Sequence, residues 1–168
     1  MNGIAVLQDL AHRPLDQLDL LWDRVEVSQL NRHPGGHPNS IAWLLWHSAR
    51  EIDAQVADLA GREQIWTAQG WQERFDLDVS AGDHGFGHTE DQARSVVVED
   101  KDLLRGYLDA VTAESTDYLG TLDESDLGEV IDTQWDPPVT RGARLVSVYA
   151  DALQHIGQAA YITGMSDA

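Results

Sequence analysis

The sequence predicts an all-α protein built as a four-helix bundle. Three observations carry this. Four long segments repeat apolar residues at three- and four-residue steps, the period of one helix face. Segments rich in proline, glycine and acids separate them. The alternation that marks a half-buried strand is scarce, so helices must cover one another.

The first helix is expected in "PLDQLDLLWDRVEV", where Leu15, Leu18, Leu21, Trp22 and Val25 form one face. Pro14 suits a first helical turn, where its missing N–H is not needed. Residues 3–12 are expected to form a separate short turn of helix. "NRHPGGHPNS" then breaks the chain, and Asn39 or Ser40 can cap the next helix. That helix, "IAWLLWHSAREIDAQVADLAG", carries Ile41, Leu44, Leu45, Ile52, Val56 and Leu59 on one face, with Gly61 as its stop. Residues 62–98 form a long excursion without a sustained period, with one short helix near "TAQGWQERF". An excursion of this length is often functional. The third helix is "KDLLRGYLDAVTAESTDYLGTL", and "DESDLGEVIDTQWDPPVT" connects it to the last, "RGARLVSVYADALQHIGQAAYITG", closed by Gly164. No repeat or interdomain linker appears, so residues 1–168 read as one domain.

Composition narrows the function. The 168 residues hold 29 acids against 11 Lys and Arg, a formal net charge of −18. Phosphate backbones and anionic membranes select basic surfaces, so neither nucleic acid nor membrane is the expected partner. No apolar run reaches the ~20 residues that span a bilayer. The N-terminus has no basic leader with a long apolar core, so the expected location is the cytoplasm. There is no cysteine. Disulfides and thiolate ligands are excluded, and any thiol chemistry must use a thiol from outside.

In the last helix Asp151 and His155 interrupt an apolar run, four residues apart. That spacing puts them on one face, where they can grip one metal ion. Leu145, Val148, Ala152, Ile156, Ala159 and Ile162 mark the buried side around them. The pair also reads as a local hydrogen bond or ion pair. A third ligand must come from a facing helix, and His47, at the edge of the second helix's apolar face, is the candidate. His47, Asp151 and His155 would make a two-histidine, one-carboxylate set with positions open to water or substrate. His84 and His88 lie four apart among glycines, where helical spacing does not apply, and His33 and His37 read as turn residues. Trp43, Trp46, Trp66, Trp71 and Trp135 fall near the site or the excursion, most of them as core. Arg141 or Arg144 can hold an anionic substrate group or serve as a surface arginine.

The segments "GGHPNSIAWLLWHSARE", "WDPPVTRGARLVSV" and "DALQHIGQAAYI" resemble the DinB-like superfamily in order and spacing, over about residues 12–165. Members include mycothiol-dependent maleylpyruvate isomerases and bacillithiol transferases, and the resemblance is to an actinobacterial subfamily. It implies an up-down-down-up bundle, often a homodimer. It implies a divalent metal (zinc, nickel, manganese or iron) held by His47, His155 and the residue at position 151. The family commonly has histidine there, and this chain has Asp151, which changes the charge and hardness of the site. The implied activity is transfer or isomerisation with a small thiol such as mycothiol acting on a small electrophile. Trp71, His88 and Arg141 would line the pocket. The alternatives are metal-assisted hydrolysis and a non-catalytic, stress-linked binding or scaffold role.

Overall fold

The computed structural model describes residues 2–165. Four long helices form the bundle: α1 (Gly3–Leu21), α2 (Ile41–Ala60), α6 (Lys101–Leu119) and α7 (Arg141–Thr163). Three short helices, α3 (Ile65–Ala68), α4 (Trp71–Phe75) and α5 (Glu90–Ser95), lie in the excursion. Each long helix begins on a polar cap that satisfies an N-terminal N–H. Asn2 accepts from Ala5 N at 2.9 Å, Ser40 from Trp43 N at 3.1 Å and Thr140 from Ala143 N at 3.2 Å, while Asp100 caps α6. Gly61 ends α2 in the left-handed region, at φ +63°, which an L side chain rarely adopts.

Pairings between helices fix their directions. Asp19 meets Arg105 and His12 meets Thr116, so α1 and α6 run antiparallel. Arg50 meets Tyr107 and Leu59 O meets Tyr118, so α2 and α6 run parallel. His47 lies beside His155 while Glu51 lies near Asp151, so α2 and α7 run antiparallel. The order is therefore up-down-down-up, with α2 and α1 diagonal and each packed on both α6 and α7. Trp46, Trp66, Tyr107 and Tyr149 are among the largest fully buried side chains.

Four local expectations change. The segment before Pro14 is not a separate turn: α1 runs unbroken from Gly3, with Pro14 inside it and buried. An interior proline forgoes a hydrogen bond and costs ~3 kcal/mol. Burial of Ile4, Leu7 and Ala11 on the preceding turns favours the continuous helix. The helix also stops at Leu21, and residues 22–24 and 27–29 tighten into single 3₁₀ turns. The excursion holds three short helices rather than one, α3 and α4 being separated by Gly70 at φ +69°. The α6–α7 connection forms a small antiparallel hairpin, β1 (Val130–Asp132) with β2 (Val139–Thr140), and Trp135 lies exposed beyond β1.

Candidate metal centre

Two helical turns face each other across the α2–α7 seam. His47 and Glu51 project from one, Asp151 and His155 from the other, each pair at the i, i+4 spacing that stacks side chains on one face. One ligand atom from each of the four lies within 4.8 Å of the others, a group that can hold a metal ion. His47 Nε2 stands 3.7 Å from Glu51 Oε2, and His155 Nε2 stands 3.3 Å from Asp151 Oδ2. Side-chain exposure rises across the group, from 6% at His47 through 16% at Glu51 and 17% at His155 to 42% at Asp151. The base is buried at His47 and the mouth opens on the Asp151 side.

Both imidazoles are oriented from behind. His47 Nδ1 bonds the backbone carbonyl of His84, which leaves the Nε2 lone pair facing the cluster. His155 Nδ1 lies 3.1 Å from Gln158 Oε1, one turn on, so its Nε2 also faces inward. Metal-binding histidines are commonly held by such outer partners. The Trp43 ring stacks on His47 at 4.5 Å and meets His155 edge-on at 6.0 Å.

The electrostatics fit a cation. Burial pushes the His47 imidazole down to about 4, against its ordinary 6.5, with the His84 carbonyl opposing the shift. At neutral pH the ring is uncharged, the form that ligates metal. Burial, then the Asp151 carboxyl opposite, pushes Glu51 up to about 9 from its ordinary 4.5. Glu51 Oε2 is buried without a hydrogen-bond partner. A buried carboxylate in that state is costly unless a cation or proton compensates it. Two nitrogens and two carboxylate oxygens suit zinc, nickel, manganese or iron.

The structure brings His47, Asp151 and His155 together. Sequence reasoning missed Glu51, although "HSARE" repeats on α2 the four-residue step of "DALQH" on α7. Of the three expected pocket residues, His88 stands behind the site, its Nδ1 accepting from Trp43 Nε1 at 3.2 Å. Trp71 packs on Tyr107, with the Arg74 guanidinium 3.4 Å above its ring. Arg141 bonds Glu129, Tyr118 and the Leu59 carbonyl, and it precedes Asp151 by about 15 Å of helix at 1.5 Å per residue. Arg144 reaches Gln55 at 2.7 Å and Asp132 at 3.4 Å. His84 contributes its carbonyl rather than its ring. Missed as well was the fully buried Arg50, which bonds Asp53, Tyr107 and Gln64 and reaches the excursion at Ala81 O and Asp83 O.

A groove of about 700 Å³ adjoins the cluster at His155. Asn39, Leu44, Gln154, Gln158 and Tyr161 are among its walls, and among the described residues no Asp, Glu, Lys or Arg lines it. Among the described residues, no helix is long and apolar enough to cross a membrane.

The likeness to known proteins agrees with this architecture. The chain is similar to a conserved protein from Enterococcus faecalis of known crystal structure, at 37% identity and a TM-score of 0.89, covering 97% of this chain and 96% of that one. No curated protein matches it. The DinB superfamily model matches residues 11–159, and the chain belongs to the DinB superfamily.

Proposed function

We propose that this protein is a divalent-metal-dependent transferase or isomerase that uses a low-molecular-weight thiol, such as mycothiol, on a small electrophile. The observation that carries the reading is the convergence of His47, Glu51, Asp151 and His155 between a buried base and an open mouth. A bound divalent cation supplies Lewis acidity, which lowers the pKa of a thiol or water beside it.

The chain's own residues do the rest. His47 and His155 present Nε2 lone pairs, held by His84 O and Gln158. Glu51 holds a proton when no cation is present and gives it up when one binds. Trp43 packs against both imidazoles. The adjoining groove suits an uncharged co-substrate, because the described residues that line it include His37 and His155 but no Asp, Glu, Lys or Arg. The thiol must come from outside, since the chain has no cysteine.

Elemental analysis of the purified protein, followed by turnover assays with and without added thiol, tests the reading. About one metal per chain is expected, lost in Glu51→Ala and Asp151→Ala, with turnover only when thiol is added. Turnover with water alone would make the protein a hydrolase. Failure to take up zinc, nickel, manganese or iron would reduce the cluster to a buried polar group.

A further inference from the structure

We propose that Asp83, which touches none of the four cluster residues, is a positioning residue for His47. Two chains of contacts run from it and meet on that one imidazole.

The first is polar. Asp83 Oδ1 accepts from Gly85 N at 2.8 Å, and Arg50 Nε donates to the Asp83 carbonyl at 3.0 Å. Between these anchors the turn aims the His84 carbonyl at His47 Nδ1. Gly85 is required there. Its φ is +90°, and a Cβ would stand 2.8 Å from His47 Nδ1. The second chain is aromatic. The Asp83 carboxylate lies 2.9 and 3.0 Å from His88 Nε2. Trp43 Nε1 donates to His88 Nδ1, so the proton of His88 sits on Nε2, facing Asp83. Trp43, fixed in this way, stacks on His47 with 23° between the planes.

One chain sets which nitrogen of His47 carries the proton, and the other sets the plane of the ring. Together they hold the Nε2 lone pair toward Glu51 and His155. The importance of this orientation rests on His47 being a metal ligand, but the orientation itself can be read in metal-free protein.

The experiment uses the full chain, with Asp83→Ala, Asp83→Asn and His88→Ala beside wild type. Long-range ¹H–¹⁵N correlation spectra give the tautomer of His47 without metal, and competition titration gives the zinc Kd. Wild type is expected to show the Nδ1–H tautomer alone. Asp83→Ala is expected to mix the two tautomers and weaken zinc binding ~10- to 100-fold, the usual effect of losing an outer partner. Asp83→Asn, which keeps an oxygen for Gly85 N and His88, is expected to recover most of both. His88→Ala cuts only the aromatic chain, so it should keep the tautomer yet weaken zinc, and it serves if Asp83→Ala does not fold. The proposal is overturned if Asp83→Ala folds with wild-type tautomer and zinc affinity or, where Asp83→Ala does not fold, if His88→Ala binds zinc as tightly as wild type. If wild type binds no zinc while Asp83→Ala still mixes the tautomers, the metal reading falls and the positioning role stands.

Discussion

Replacing Asp53 with alanine should destabilise the protein more than any change to the exposed acids that dominate its charge. Asp53 is buried on α2 and collects four donors. Tyr107 OH lies at 2.6 Å, Trp66 N at 2.9 Å, Ile65 N at 3.0 Å and Arg50 Nη1 at 3.3 Å. Removing one partner of a buried ion pair costs about 3–5 kcal/mol, because the other charge is left behind in the core. The two freed N–H groups at the start of α3 add a penalty that overlaps with this one, so about 4 kcal/mol is the expected loss. For a chain of this length each kcal/mol lowers Tm by ~2–4 °C, which gives a fall of ~8–16 °C. Asp53→Asn, which keeps an acceptor but not the charge, should fall less. Thermal unfolding of metal-free protein followed by circular dichroism, with near-UV and far-UV signals compared for coincidence, reads the change. A fall below ~3 °C would mean that Arg50 finds another partner or water, and the buried-pair argument would be wrong.

Glu51 makes a prediction in pH. Its folded pKa is raised, so between about 4.5 and 9 the metal-free fold binds a proton that the unfolded chain does not. Metal-free stability should therefore decline as pH rises through that window, and Glu51→Gln should flatten the decline. A cation competes with the same proton, so metal binding at pH 7 should release about one proton per chain, measurable by calorimetry in buffers of different ionisation enthalpy. Release near zero would contradict the assignment. Metal at 100 times its Kd should stabilise the fold by ~2.7 kcal/mol and raise Tm by ~5–11 °C, an increase that a chelator reverses. Arg141→Ala should leave metal content unchanged while loosening the β1–β2 hairpin, seen as faster amide exchange there.

The long helices were legible because their apolar faces repeat over several turns and their ends carry Ser40, Gly61 and Gly164. The start of α1 was not, because Pro14 signals a helix start locally and only packing on the bundle reverses that signal. The excursion was opaque for a related reason. Its helices are four to six residues long, too short for periodicity, and their order comes from Arg50 and Asp53, which lie elsewhere in sequence. At the site, Asp151 and His155 stood out as polar breaks in an apolar helix. Glu51 did not, because an acid on a helix edge is ordinary and only the facing carboxyl makes it unusual. No spacing rule could have found the His84 carbonyl, since main-chain ligands leave no mark on the sequence.

The arrangement of the four cluster residues follows from helix direction. On α2 the histidine precedes the acid; on α7 the acid precedes the histidine. Because the two helices are antiparallel, the order brings histidine beside histidine, at 4.8 Å between ring centroids, and acid near acid. Reversing either pair would place each acid against a histidine of the facing helix and move the two carboxyls apart. As built, Asp151 raises the pKa of Glu51, and Glu51 Oε2 is left without a hydrogen-bond partner. Asp151 is the carboxyl that opposes Glu51 across the seam. Near neutral pH a proton on Glu51 relieves the metal-free seam, whereas a divalent cation would neutralise both carboxylates at once. A metal held here would meet two carboxylates and two imidazoles, a harder and more negative ligand set than histidines alone would give.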